Sequence, residues 1–346
     1  MTANPSGPAP GQLPGAGPDR LPGSGGGRLR GSRRGRLADP MFRALVTSTG
    51  VLVLVLLAFM IIRTTADSWP IFAKEGFGFF TGTEWDAGSS RDLPEIHGSY
   101  GAWPFMYGTL VTSAIALLIA LPVAVAVALY LTQLAPRRLR TPLSYAVETL
   151  AAVPSIVYGL WGLLFLLPAV IRPVMGWLAS WFGDVFLFEG PVFGLSYFAA
   201  GIVLAIMVLP IMTAIIREVF AAAPTVELQA AYGLGATQWE VIRKVLVPRS
   251  YSGIIGGAML GLGRAIGETV AVAMLVGGSQ RMGYSLFFAG DTMAAHIFNT
   301  FKDAVPETVL GLTAIGVALF VFTFAINVLA RLLVWRVGRT TGDAAV

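Results

Sequence analysis

Residues 217–248 read REVFAAAPTVELQAAYGLGATQWEVIRKVLVP. The stretch divides into two short helices joined at Gly233-Leu234-Gly235. Pro224 and Thr225 begin the first, with Glu227 in its first turn, where a negative charge meets the positive end of the helix dipole. Thr237-Gln238-Trp239-Glu240 begins the second as a capping box, a hydroxyl cap answered by a glutamate three residues on. Trp239, Ile242, Val245 and Leu246 then form an apolar stripe at helical spacing, and Pro248 is expected to end it. Such an amphipathic pair needs a partner for its apolar side. That partner is its own helix bundle, the membrane surface or a groove on another protein.

The sequence on both sides of this stretch is far more apolar. Of 346 residues, 55% are hydrophobic and only 12% charged, and the mean hydropathy is +0.72. A soluble domain carries about 25% charged residues, so this chain cannot cover its surface with groups that water accepts. Six stretches reach the length of about 20 residues that a bilayer requires. They run from Ala44 to Ile62 and near Pro104–Leu134, Thr149–Ile171, Val192–Ile216, Tyr251–Gly277 and Thr308–Ala330. MGWLASWFGDVFLF, 175–188, is apolar but shorter. With Trp177, Trp181 and Asp184 it reads as an interfacial helix. With no cysteine, the chain has neither disulfides nor thiolate metal sites. His97 and His296 lie far apart in sequence and form no ligand cluster.

Charge placement sets the orientation. Arg137, Arg138 and Arg140 follow the second span; Arg217, Arg243, Lys244 and Arg249 follow the fourth; Arg331, Arg336 and Arg339 close the chain. The loop at 66–103 is acidic, with Asp67, Glu75, Glu84, Asp86, Asp92 and Glu95 against Lys74 and Arg91. The positive-inside bias puts both termini in the cytoplasm. Residues 1–40 are rich in Gly, Pro and Arg and are expected to be a disordered basic tail. Its arginines at 28, 30, 33, 34 and 36 suit anionic headgroups and topology setting. The expected organisation is that tail, a membrane domain over 41–340 with its cytoplasmic loop at about 217–249, and a short end at 341–346.

The loop resembles the EAA loop of ABC importer permeases, whose pattern is E-A-A, three residues, G, nine residues, I-x-L-P. Here Gln229, Ala230 and Ala231 begin it, Gly235 is the fixed glycine, and Val245-Leu246-Val247-Pro248 closes it. Gln229 replaces the family's glutamate, so a charge-assisted hydrogen bond becomes a neutral one. The resemblance implies an all-α polytopic protein with six transmembrane helices, whose loop docks on a separate ATP-hydrolysing subunit. ATP and Mg would then be bound by that partner, and this chain would be a transport subunit without its own ATP site and without a cofactor. The residues agree: the only lysines, Lys74, Lys244 and Lys302, do not follow glycines, so no Walker A loop is present.

Three further stretches narrow the match. MYGTLVTSAIALLIALPVAVAVALYL at 106–131, ETLAAVPSIVYGLWG at 148–162 and GLGRAIGETVAVAMLVG at 261–277 are together similar to permease subunits of the bacterial phosphate-specific import system, closest to the C-type. The similarity covers roughly residues 40–340. It implies a plasma-membrane protein that pairs with a second, A-type permease subunit above an ATPase dimer. An extracytoplasmic phosphate-binding protein would deliver inorganic phosphate to it, with membrane lipid around it and no nucleic acid partner. The outer loops at 66–103 and 278–307 would supply part of the docking surface.

Arg264 and Glu268 stand in the apolar fifth stretch. A charge within a span costs about 2.5–3.5 kcal/mol on insertion scales and faces the bundle interior or a watery path. At i and i+4 on a continuous helix, the two share a face. An arginine fork binds two phosphate oxygens. Glu268 holds Arg264, or accepts a hydrogen bond from a protonated phosphate oxygen, which sulfate lacks; the bland reading is a buried ion pair that fixes packing. Gly261, Gly263 and Gly267 permit close approach or a local break. Ser155, Tyr158 and Thr269 are weaker candidates to line the path, with packing the competing reading for Ser155 and Tyr158. Glu148 reads as a solvated carboxylate at the cytoplasmic end of the third span. Thr109, Thr112, Ser113 and Thr269 suit back-bonding to their own helices. The competing functions are an ABC permease for another oxyanion, such as sulfate or molybdate, and a proton-coupled secondary transporter using Glu268. The ATPase-docking loop argues against the latter.

Overall fold

A computed structural model describes residues 33–87 and 96–342, with side chains described over 40–87 and 96–332. The tail through residue 32, and Arg91, Asp92 and Glu95 of the acidic loop, lie outside the described residues. The chain separates into two units, residues 1–59 and 60–346.

Helix α1 runs over Arg33–Glu75, so helical backbone begins before the expected boundary at 40. Its apolar part is the first candidate span, Pro40–Glu75. Helix α2 (Gly78–Thr81) and the two-residue strands β1 (Trp85–Asp86) and β2 (Ser99–Tyr100) lead to the second span. The strands pair antiparallel, with Trp85 opposite Tyr100.

The second span is α3 (Trp103–Leu129), continued by a π-helical segment to Leu134. Ala116, Ala120, Ala124 and Ala128 recur every fourth residue and are all fully buried. Small side chains at that spacing let two backbones approach closely where lipid removes the hydrophobic drive for association. Their partner is α7 (Tyr197–Ala221), the most buried of the candidate spans. Ser196 caps α7, its hydroxyl accepting from the Ala199 N–H at 3.2 Å.

The third span corrects two expectations. Pro154 has φ −59° and ψ 142°, extended geometry that separates helix α4 (Arg137–Ala151) from α5 (Ser155–Trp161). The span therefore starts at Ser155 rather than Thr149. It continues through a π-helical segment at Gly162–Ile171 into α6 (Arg172–Phe182). Residues 175–182 are thus the end of the third span and not a separate interfacial helix. Pro168 has no N–H to give, and the wider backbone rings of the π-helical stretch accommodate it without ending the helix.

The loop helices are α8 (Thr225–Gly233), α9 (Gln238–Val241) and α10 (Val247–Arg249), the last two joined by a π-helical turn at Ile242–Leu246. Pro248 does not end the helix as expected. Helical backbone passes through it to Arg249 and then bends by 66° into α11 (Tyr251–Gly267). After α11 come the single turn α12 (Val270–Ala273), the helix α13 (Met293–Phe301) and the long α14 (Pro306–Gly342). Among the described residues, five helices are long and apolar enough to span a bilayer, and the bent pair ending in α11 makes up to six.

Candidate functional site

The expected fifth span is broken at its charged residues. Helix α11 ends at Gly267, Glu268 takes extended backbone (φ −70°, ψ 129°), and α12 restarts at Val270. This corrects the shared-face argument, because Arg264 lies in the last turn of α11 whereas Glu268 lies beyond it. No ion pair joins them among the described residues. Glu268 Oε1 instead accepts from the Ala271 N–H at 3.3 Å, and Thr269 Oγ1 donates to the Gly267 carbonyl at 3.3 Å. The glutamate thus satisfies a donor that a continuous helix would have used, which is the competition by which polar side chains open helices.

Arg264 is exposed on this chain, Glu268 and Thr269 are half-buried, and Arg264 has no hydrogen-bond or ion-pair partner among the described residues. Its place is nonetheless favourable, since the last turn of a helix presents free carbonyls and the negative end of the dipole. Of the three glycines expected to permit close approach or a break, Gly261 meets a neighbour: a Cβ there would lie 2.6 Å from Met212.

Helix α5 packs against α12, and a Cβ on Gly159 would lie 2.8 Å from the Ala271 Cα, so only glycine permits this approach. The contact brings Tyr158 within electrostatic reach of Arg264. The Tyr158 hydroxyl donates to the Leu150 carbonyl at 2.8 Å, tying α5 to the end of α4. Ser155, at the start of α5, is half-buried and makes no side-chain hydrogen bond among the described residues. Arg264, Glu268, Thr269 and Tyr158 therefore gather around one helix break, with Ser155 one turn away along α5.

The other polar candidates are committed locally. Thr112 donates to the Gly108 carbonyl at 2.8 Å and Ser113 to the Thr109 carbonyl at 2.6 Å, as back-bonding predicts. Thr109 bonds back to the Phe105 carbonyl and also accepts from the Met293 N–H at 3.0 Å, holding the start of α13. Glu148 is not merely solvated, because Arg217 of α7 pairs with it at 2.7 Å. Sequence reasoning set the histidines aside. The structure buries His296 against Phe105 and Trp85, with Nδ1 3.1 Å from Asp291 Oδ2. Asp291-Thr292, ahead of Met293-Ala294-Ala295, is the capping signal that marks this element.

The loop has equally specific geometry. At the end of α8 the Ala236 N–H reaches the Ala231 carbonyl (3.2 Å) and the Gly235 N–H reaches that of Tyr232 (2.9 Å). Gly235 has φ +85°. Together these form a Schellman cap, and the left-handed residue it demands is why glycine stands at 235. The capping box forms: Glu240 Oε2 accepts from the Thr237 N–H (3.0 Å) and hydroxyl (2.9 Å), and Thr237 Oγ1 accepts from the Glu240 N–H (3.4 Å). These Thr237 bonds, then Lys244, lower the Glu240 pKa to about 2. Arg249 meets Glu227 at 3.7 Å, holding α8 to α10.

The expected apolar stripe divides. Ile242 and Leu246 are buried and Val245 is half-buried, whereas Trp239 is 66% exposed. Val226, Tyr232 and Leu234 are also exposed, and Leu234 at 89% has no cover at all. Gln229 and Ala230 are exposed beside them, Ala231 is half-buried, and Pro248 is exposed.

The chain matches the family model described as binding-protein-dependent transport system inner membrane component over residues 120–339. It is 42% identical to the phosphate transport system permease protein PstC of Mesorhizobium japonicum, over 88% of this chain and 93% of that protein. It is 41% identical to PstC 2 of Mycobacterium tuberculosis, over 82% and 87%. The fold also resembles a chain of a bacterial ABC transporter for alginate import, with a TM-score of 0.56 at 16% identity over 87% of this chain and 99% of that one. The chain therefore belongs to the family of binding-protein-dependent transport inner membrane components, within its group of phosphate transport system permease proteins.

Proposed function

We propose that this chain is the membrane permease subunit of an ATP-driven phosphate importer. In this reading it forms half of the phosphate path beside a second, A-type permease. A dimer of ATPase subunits docks on α8 and α9, and an extracytoplasmic phosphate-binding protein delivers the anion. Both termini and the loop face the cytoplasm of a bacterial plasma membrane. ATP and Mg belong to the partner ATPase, and this chain supplies path and coupling.

One observation carries the reading. Arg264 is an unpaired guanidinium at a helix break, on the helix that the loop feeds directly. An arginine fork takes two oxygens of a tetrahedral anion. Glu268 accepts a hydrogen bond from a protonated phosphate oxygen, which separates phosphate from sulfate. Its negative charge also keeps the anion from binding too tightly to leave. Thr269 lies on the same break, and Tyr158 supports it from α5.

Coupling follows from the connection. Helix α11 has 17 residues, a rod of about 25 Å at about 1.5 Å per residue. Its lower end is joined to α10 through the single residue Ser250 at a 66° bend. Tilting the loop on the ATPase therefore moves the far end of α11, where Arg264 sits. Uptake of labelled phosphate into proteoliposomes holding the assembled transporter tests the reading. Arg264→Gln is expected to abolish uptake with all subunits still assembled. Full uptake in that variant, or loss of assembly, would overturn it.

A further inference from the structure

Helix α4 has no buried residue along its 15 positions, although it is strongly two-sided. Its half-buried residues Ser144, Val147 and Ala151 mark the side turned to α7, on which it packs. Thr141, Ser144, Tyr145 and Glu148 line a cavity shared with Arg217 and with Thr225 and Leu228 of α8, so this side faces the coupling loop. On the opposite side, Leu139, Leu143, Ala146 and Leu150 recur at i, i+4, i+7 and i+11. The three leucines are 47%, 38% and 50% exposed. Arg137, Arg138 and Arg140 fill the first turn, which holds no acidic residue. Arg140 donates to the Thr132 carbonyl at 2.7 Å, whereas Arg137 and Arg138 have no partner among the described residues.

We infer that α4 lies in the cytoplasmic headgroup layer of the bilayer, its leucine stripe at the acyl boundary and Arg137 and Arg138 on anionic lipid phosphates. Two features select lipid. The apolar stripe points away from the cavity at the coupling loop, so on a helix lying flat at the surface it faces the hydrocarbon of the bilayer. The arginines beside it complement the negative cytoplasmic leaflet. The helix is also tied at two points to the moving parts: Glu148 to Arg217 at the end of α7, and the Leu150 carbonyl to Tyr158 of α5. Seated in lipid, α4 fixes the height of the coupling loop at the membrane surface. The inference rests on the cytoplasmic placement of this face proposed above.

The chain has no cysteine, so single cysteines report cleanly. Leu143→Cys, Leu150→Cys and Thr141→Cys are spin-labelled in the whole transporter, with cysteine-free partner subunits, in nanodiscs containing phosphatidylglycerol. Collision with oxygen reports lipid, and collision with a nickel chelate reports water. The expected result is oxygen over nickel at 143 and 150, with the order inverted at 141. Nickel access along the stripe would overturn the seating. Shielding from both reagents would overturn it in favour of cover by the second permease chain. In a second arm, Arg137→Gln with Arg138→Gln makes the label at 143 shallower in phosphatidylglycerol and leaves it unchanged in phosphatidylcholine; a depth indifferent to both changes would overturn the role of anionic lipid. Phosphate uptake is read on the same preparations, so a failed permease assignment shows in uptake and a failed seating in the collision rates.

Discussion

The coupling loop and the helix break treat charge in opposite ways. Around the loop three acid–base pairs close: Glu148 with Arg217 at 2.7 Å, Glu240 with Lys244 at 3.2 Å and Glu227 with Arg249 at 3.7 Å. Exposed pairs of this kind contribute at most about 1 kcal/mol each, so their value is in fixing shape. At the break, Arg264 and Glu268 stand close in sequence and do not pair. The loop is built as a rigid part with a bare apolar surface. The break leaves two charges unpaired with each other, and the proposed phosphate site rests on that feature.

Removing the unpaired charge is expected to have the largest effect. Arg264→Gln should lower phosphate uptake roughly 30-fold or more, since losing one partner of a desolvated charged contact costs about 2–5 kcal/mol. The measurement is initial uptake per assembled transporter. If the loop is a shaped dock, Gly235→Asp should come next. A side chain at φ +85° costs about 1–2 kcal/mol and distorts the Schellman cap. The ATPase subunit should then fail to co-purify while the permease still inserts. Retained co-purification and uptake would remove the dock from the loop.

A smaller change sharpens the role of Glu268. In Glu268→Gln a carbonyl oxygen can still cap the Ala271 N–H, so the break persists while the charge is lost. Selectivity for phosphate over sulfate, measured by competition, should fall roughly tenfold, the equivalent of about 1.4 kcal/mol. Unchanged selectivity would leave Glu268 with capping alone. The smallest effect belongs to Glu240. Its pKa in the folded loop is about 2 against an ordinary 4.5. A depressed carboxyl pKa adds stability that is complete above pH 4.5 and is lost as the pH falls from there towards 2. Protection of the α9 amides from hydrogen exchange, taken relative to their intrinsic rates, should fall over that window, and Glu240→Gln should remove that fall.

Much of the fold was legible because its signals are local. Long apolar runs gave the spans, and Thr237 with Glu240 gave the capping box, since those two residues suffice to form it. The departures came where wider context decided. Proline disfavours a helix interior, but Pro168 lies within a π-helical segment, and helical backbone continues through Pro248 just after a π-helical turn. The break at Glu268 has no proline to announce it; it depends on a capping bond to Ala271 and on α5 packing across α12 through Gly159. At the site, sequence identified Arg264, Glu268 and Thr269 but placed the first two on one helix face, because helical periodicity presumes that the helix continues. The ion pair of Glu148 could not be read from spacing, since it needs α4 and α7 to meet in the folded chain, whereas the Asp291–His296 pair is local to the start of α13.

The central claim is that phosphate sits at the break against Arg264. Thr269→Cys places a single thiol there in an otherwise cysteine-free chain, and its alkylation rate in the assembled transporter reports occupancy. Inorganic phosphate should slow that alkylation, sulfate should slow it much less, and Arg264→Gln in the same chain should abolish the protection. Protection by phosphate that persists without Arg264, or no protection with it, would contradict the account.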